Sequence, residues 1–202
     1  MTGPAQNLWR TAVRNDPDHA RRYATRWTRL AAAGHDLDGE ARLVDAMTAR
    51  GSRILDAGCG TGRVGGYLAA RGHHVVGVDL DPHLIGVART DHPGARWEVG
   101  DLATFALTTV DGAPLQFDLA VCAGNVVAFL AGSERVPALQ RIRAHLAPAG
   151  RLVVGFSTER DYPERAFTAD AEAAGLEVTQ RFGSWELHSF DGSFLVAVLQ
   201  RG

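Results

Sequence analysis

The chain contains no lysine; all 21 of its basic side chains are arginine. That absence removes Schiff-base catalysis, pyridoxal phosphate attachment, the phosphate-loop lysine and kinase-type lysine chemistry. Sulfur is scarce too. Cys59 and Cys122 are the two cysteines, and free, small, buried thiols in a reducing compartment are expected of them. No cysteine or histidine spacing matches a zinc site. Of the eight histidines only His73 and His74 are adjacent, and on a strand they would point to opposite faces, unable to share a metal. No metal is therefore expected. No run approaches the roughly 18 continuous apolar residues of a membrane span. Met1 to Arg10 lack the charged start and apolar core of a secretory leader, so a cytoplasmic location is expected. An excess of one charge is also missing. The 21 arginines face 23 acids, a net charge of −2, which offers no general attraction to nucleic acid or anionic membrane; neither is expected as a partner.

What is present is a chain of 202 residues, 46% hydrophobic, enough for one buried core. We expect a single domain over 1–202, with a helical cap at 1–50 and a doubly wound core at 51–202. The core announces itself at Ile54-Leu55-Asp56-Ala57-Gly58-Cys59-Gly60-Thr61-Gly62-Arg63. An apolar strand runs into a glycine turn, and the turn opens a helix from about Gly62 to Arg71. Glycines at 58, 60 and 62 permit positive φ and leave no Cβ against a ligand. The apolar run Val75-Val76-Gly77-Val78 then ends in Asp79. At that spacing in a βαβ unit the carboxylate can accept both hydroxyls of a ribose. Asp81, just before Pro82, reads as the cap of the next helix.

Two cofactor classes use such a unit. Gly60-Thr61-Gly62-Arg63-Val64-Gly65 satisfies the dinucleotide fingerprint, which seats a pyrophosphate on the helix N-terminus. Asp56 argues against it, because a carboxylate at the strand end opposes a pyrophosphate and suits a cation. Here the chain resembles the class I S-adenosylmethionine-dependent methyltransferases, whose first motif is similar to Leu55 through Gly62. The resemblance extends over most of the chain beyond residue 50. It implies an α/β, Rossmann-like, doubly wound, mostly parallel seven-stranded sheet with an antiparallel C-terminal strand. Gly100-Asp101-Leu102, after a strand at 95–99, is similar to the adenine-contacting element, with Asp101 accepting from the exocyclic amine and the Leu102 amide facing the ring. Phe117 to Cys122 resembles the fourth strand, leading to Ala123-Gly124-Asn125 beside the methionine part. A helix over Leu139 to Ala149, closed by Pro148 and Gly150, and the strand Arg151 to Phe156 resemble the fifth step. Leu176 to Thr179 and Phe194 to Leu199 bracket an Asp191-Gly192 turn as an antiparallel terminal pair. The resemblance thus implies S-adenosylmethionine as cofactor, S-adenosylhomocysteine as product, and a cofactor site of Asp56, Gly58, Cys59, Gly60, Gly62, Asp79, Leu80, Asp101, Leu102 and Ala123.

In the first fifty residues, Asp16 and Pro17 read as a helix start, and Ala20, Tyr23, Ala24, Trp27, Leu30 and Ala31 share one helical face. Arg22, Arg26 and Arg29 form another face, solvated or touching an acidic substrate. Leu37, Ala41, Val44 and Met47 suggest a second helix ending at Gly51. In similar enzymes such helices cover the ligand, which makes Tyr23 and Trp27 candidate lid residues. The implied reaction displaces a neutral thioether from a methyl group, so no acid is required. Ala123-Gly124-Asn125-Val126 departs from the Asn-Pro-Pro-aromatic element of enzymes that methylate amino groups of nucleic acids and glutamine. A small-molecule acceptor follows as the expectation. Trp9, Tyr23, Trp27, Phe129, Tyr162 and Trp185 are candidate pocket walls, with a loop at Ser157 to Thr168 alongside. Asn125, Tyr162 and His188 are candidates to face the acceptor. A nicotinamide oxidoreductase and a catalytically silent cofactor-binding sensor remain open as alternatives.

Overall fold

A computed structural model describes residues 6–202; Met1–Ala5, on which the reading of a missing leader partly rests, lie outside the described residues. Three helices come first: α1 (Leu8–Asn15), α2 (His19–Ala32) and α3 (Gly39–Met47). The core then alternates as β1 (Arg53–Ala57), α4 (Arg63–Ala70), β2 (His74–Asp79), α5 (Pro82–Asp91), β3 (Arg96–Val99) and β4 (Phe117–Cys122). It continues with α6 (Val126–Phe129), α7 (Gly132–Ala144), β5 (Leu146–Ser157), α8 (Glu164–Ala173), β6 (Leu176–Phe182) and β7 (Phe194–Arg201). The seven strands lie in the order β3-β2-β1-β4-β5-β7-β6. The β1 to β5 pairings are parallel, while β7 runs antiparallel to both β5 and β6. This is the expected sheet.

Strand periodicity explains why both faces are covered. In β1, Ile54 joins a core with Val64 and Leu68 of α4 and Ala41 and Val44 of α3. Its neighbour Leu55 joins the opposite core, with Leu139 and Ile142 of α7 and Phe167 and Ala171 of α8. Successive side chains point to opposite faces, so a strand buried on both sides reads as a continuous apolar run. The order of strands reverses direction at β1, with β2 on one side and β4 on the other. Such a switch point leaves a crevice beyond the carboxyl ends of the strands.

Several boundaries differ from the sequence reading. Asn7 starts an additional helix, α1, its side chain accepting from the Trp9 and Arg10 amides at 3.1 and 3.3 Å. Asp16 accepts at its carbonyl from His19 N–H and at its side chain from Asp18 N–H, so Asp16 and Pro17 turn the chain and α2 begins two residues later. The helix expected over 139–149 is α7, which starts at Gly132 and stops at Ala144. Pro148 and Gly150 lie within β5, beside the register shift between Phe117 and Leu119 of β4; a Cβ at Gly150 would sit 2.8 Å from the Phe117 carbonyl oxygen. The supposed loop to Thr168 contains the start of α8. Cys59 and Cys122 are free and buried. No helix among the described residues is long and apolar enough to cross a membrane.

Candidate functional site

The turn between β1 and α4 is tied to β2 by two amides: Gly58 and Cys59 N–H both donate to the Val78 carbonyl, at 2.8 and 3.1 Å. Gly58, Gly60 and Gly62 adopt φ of +80°, +54° and +79°, a region that side chains rarely occupy. A Cβ at Gly58 would fall 2.5 Å from Val126 Cγ1. At Gly60 the nearest atoms belong to the Tyr23 ring and hydroxyl, at 3.6 and 3.7 Å. The turn is therefore roofed by α2.

Asp79 ends β2 beside this turn. Its Oδ2 accepts from Gly60 N–H and its Oδ1 from Asp81 N–H, both at 2.9 Å. Burial pushes its carboxyl up to about 6, although these hydrogen bonds favour the charged form. Asp81 caps α5 through Oδ1, accepting from His83 and Leu84 N–H at 2.9 and 3.3 Å, with Pro82 in the first turn. Its Oδ2 accepts from the Trp9 indole at 2.8 Å, a link the sequence did not reveal. Asp56 is buried one strand away and accepts from Gly65 N–H at 2.9 Å. Burial lifts its carboxyl to about 7; Arg63 opposes the shift, while Asp79 and Glu40 add to it.

Two adjoining hollows share the wall made by the turn. The larger, about 610 Å³ with its mouth, is walled by Asn7, Trp9, Tyr23, Gly58, Gly60, Asp79, Leu80, Leu84, Leu102, Ala123, Gly124, Val126, Phe129 and Leu130. The smaller is lined by Asp56, Cys59, Thr61, Arg63, Val64 and Trp27, and shares Tyr23, Gly58, Ala123 and Gly124 with the first. Tyr23 thus stands where the two meet. Its ring packs edge-on against Trp9 and Trp27, with centroids 5.1 and 5.9 Å away. The larger lobe offers apolar walls around one carboxylate; the smaller holds a buried acid and an arginine.

The sequence-expected site residues divide accordingly. Gly58, Gly60, Asp79, Leu80, Leu102 and Ala123 line the larger lobe, Asp56 and Cys59 the smaller, and Tyr23 and Trp27 cover the turn. Gly62 lines neither lobe, since a Cβ there would meet Trp97 and Ala88 at 2.8 and 2.9 Å, and neither does Asp101. Its carboxylate is taken by a salt bridge to Arg10 and by Ala103 N–H at 2.8 Å. Tyr162 is corrected outright: it is fully buried between Phe156 and Phe167, and its hydroxyl donates to Asp170 at 2.7 Å. Trp185 packs instead on Gly155. His188 is exposed, its carbonyl accepting from Gly183 N–H. Asn125 adopts φ +68° ahead of α6, and its side chain accepts from Ser157 N–H at 2.7 Å, so it joins two loops rather than facing the lobe. The sequence missed Asn7, which donates to Glu134 at 2.9 Å and fixes α1 over the mouth; an Asn one residue before an apolar helix start was the available signal. It also missed Arg63, which no motif singles out.

Comparison with known proteins decides the family. A model described as a methyltransferase domain matches residues 54–150. A solved TehB-like S-adenosylmethionine-dependent methyltransferase from Corynebacterium glutamicum is 50% identical, with a TM-score of 0.87, over 93% of this chain and 100% of that one. The chain belongs to the S-adenosylmethionine-dependent methyltransferases. Two further family members are more distant. Ribosomal RNA small subunit methyltransferase C of Chromohalobacter salexigens is 30% identical, over 82% of this chain and 59% of its own length. The dTDP-3-amino-3,6-dideoxy-alpha-D-glucopyranose N,N-dimethyltransferase of Streptomyces fradiae is 31% identical, over 69% of this chain and 54% of its own. This methyltransferase sequence therefore spans little more than half the length of those curated relatives.

Proposed function

We propose that the chain transfers a methyl group from S-adenosylmethionine to a small-molecule acceptor carrying an oxygen, nitrogen, carbon or sulfur nucleophile. The observation that carries this reading is the pair of lobes meeting at the glycine turn. Asp79, with Leu80, Leu84 and Leu102 near it, suits a ribose and an apolar adenine face; Asp56 suits the ammonium of the methionine part. The sulfonium then lies where the lobes meet, beneath Tyr23. Aromatic walls from Trp9 and Phe129 favour a compact apolar acceptor over a polymer. Among the described residues of the larger lobe, Asp79 and Tyr23 are the titratable ones, and burial raises the Tyr23 hydroxyl above its ordinary value. Little acid-base help is needed. The thioether leaves neutral, and alignment of two bound reactants supplies about 7–11 kcal/mol, against roughly 10²–10⁴ in rate from a general base.

Ligand class is tested by melting. S-adenosylhomocysteine at about 100 times its dissociation constant should stabilise the protein by about 2.7 kcal/mol, a rise of roughly 5–11 °C for a chain of this size. Nicotinamide dinucleotides should give none. A shift with NAD alone would overturn the proposal. Turnover across a panel of phenols, amines, carboxylates and thiols with S-adenosylmethionine separates an enzyme from a silent binder.

Cofactor binding should depend on pH. In the free protein Asp79 and Asp56 hold protons up to about 6 and about 7, while hydroxyl donors and an ammonium require the charged carboxylates. Affinity is then full above both values and lost as pH falls through them. By linkage, S-adenosylhomocysteine should bind roughly twenty-fold more weakly at about pH 6 than at about pH 8. Isothermal titration across that range checks it. A flat profile would show that neither carboxylate meets the ligand.

A further inference from the structure

One guanidinium joins the glycine turn to both helices of the cap that follow α1. Arg63 is the first residue of α4, immediately after Gly62. Its two terminal nitrogens donate to both carboxylate oxygens of Glu40 in α3, at 2.9 and 2.8 Å. One of them also donates to the Leu37 carbonyl in the segment between α2 and α3. The guanidinium carbon lies over the Trp27 ring of α2, 4.7 Å from its centroid. Bidentate pairing with a carboxylate uses the planar fork of arginine, which lysine cannot reproduce, and the cation is also attracted to the face of the indole. Both partners are largely shielded, with side-chain exposures of 18% and 19%, so the pair escapes much of the screening that weakens surface ion pairs. Trp27 in turn packs against Tyr23, one of the residues shared by the two lobes.

We propose that Arg63 is a positioning residue for cofactor retention: clamped by Glu40 and lying over Trp27, it holds Tyr23 and Trp27 down over the bound S-adenosylmethionine. The assignment rests on the proposed cofactor site. The clamp takes three of the five N–H donors of Arg63, two for Glu40 and one for the Leu37 carbonyl, and the proposed action on the ligand runs through the two aromatic rings. Loss of the clamp should let the roof lift, which speeds departure of the ligand more than it slows arrival.

The test measures association and dissociation rates of S-adenosylhomocysteine by stopped-flow fluorescence in the full chain. Arg63→Ala and Glu40→Ala should each raise the dissociation rate tenfold or more and change the association rate by less than threefold. Arg63→Lys should recover part of the retention. The double variant should be no worse than either single one, since both remove the same clamp. 5′-Methylthioadenosine, which lacks the amino-acid end, separates a clamp from a carboxylate contact: the clamp predicts a similar loss for both ligands. A loss confined to S-adenosylhomocysteine would make Arg63 a direct ligand contact and overturn the proposal. Unchanged dissociation in both single variants would overturn it as well. A wild-type protein that binds neither ligand would remove the cofactor site and the clamp's role together, a result distinct from failure of the variants alone.

Discussion

Gly58→Val is expected to abolish cofactor binding and to lower the melting temperature by roughly 4–24 °C. Two costs add. At φ +80° a β-branched residue is strained by about 1–3 kcal/mol. Its Cβ would also fall 2.5 and 2.6 Å from the two Val126 methyl carbons, and overpacking of that kind costs about 1–3 kcal/mol. A sum of about 2–6 kcal/mol, at roughly 2–4 °C per kcal/mol for a chain of this length, gives the melting range. Binding is lost for a third reason: Val126 and Gly58 are both walls of the larger lobe, so whichever side yields, the ligand's space changes. Gly60→Val differs. Its nearest neighbours are Tyr23 atoms at 3.6 and 3.7 Å, so it should fold closer to wild type while still losing affinity. Calorimetric melting and titration with S-adenosylhomocysteine check both variants. Wild-type affinity in a folded Gly58→Val protein would show that the turn does not touch the cofactor.

The turn was legible because its physics is local. Three glycines, the apolar strand before them and the acid 21 residues after Gly58 all sit within one βαβ unit, and each step follows from neighbours in sequence. β1, β2, β4 and the terminal antiparallel pair were readable for the same reason, from apolar runs and turn chemistry. The segment before β5 was not. Pro148 and Gly150 are ordinary signals for the end of a helix, but the helix had already closed at Ala144, and Gly150 is small because a carbonyl from β4 approaches its backbone. Tyr162 failed differently: Phe156, Phe167 and Asp170 all lie within eight residues of it, but no motif or periodicity shows that the turn between β5 and α8 folds them around its ring. The strap from α1 was the largest omission. Asn7, Trp9 and Arg10 meet Glu134, Asp81 and Asp101 across separations of 127, 72 and 91 residues, and no periodicity carries information over that distance. Asp101 shows the consequence, since its carboxylate, read as free for an adenine amine, is already held by Arg10.

Asp79→Ala should weaken S-adenosylhomocysteine by roughly ten- to 150-fold, because hydrogen bonds to a charged acceptor contribute about 1.5–3 kcal/mol and each 1.4 kcal/mol is tenfold. The structure complicates the obvious control. Asp81→Ala removes the α5 cap, worth about 1 kcal/mol of stability, but it also frees the Trp9 indole that walls the larger lobe, so some affinity should go with it. Substitution to asparagine separates the two positions. Asp81→Asn keeps a capping oxygen and should recover the stability, but its amide NH2 cannot accept from the Trp9 indole, so the affinity tied to Trp9 stays lost; Asp79→Asn exchanges one acceptor oxygen for a donor and should recover little of the larger loss of affinity. Asp79→Ala also strips the acceptor from Gly60 N–H and Asp81 N–H, so a drop in affinity alone does not prove ribose contact. A ligand lacking both ribose hydroxyls supplies that proof. If Asp79 accepts from those hydroxyls, the dideoxy analogue of S-adenosylhomocysteine binds wild type weakly and is hardly weakened further by Asp79→Ala. If the variant weakens both ligands by the same factor, Asp79 serves the glycine turn alone, and the ribose must find its partner elsewhere in the lobe.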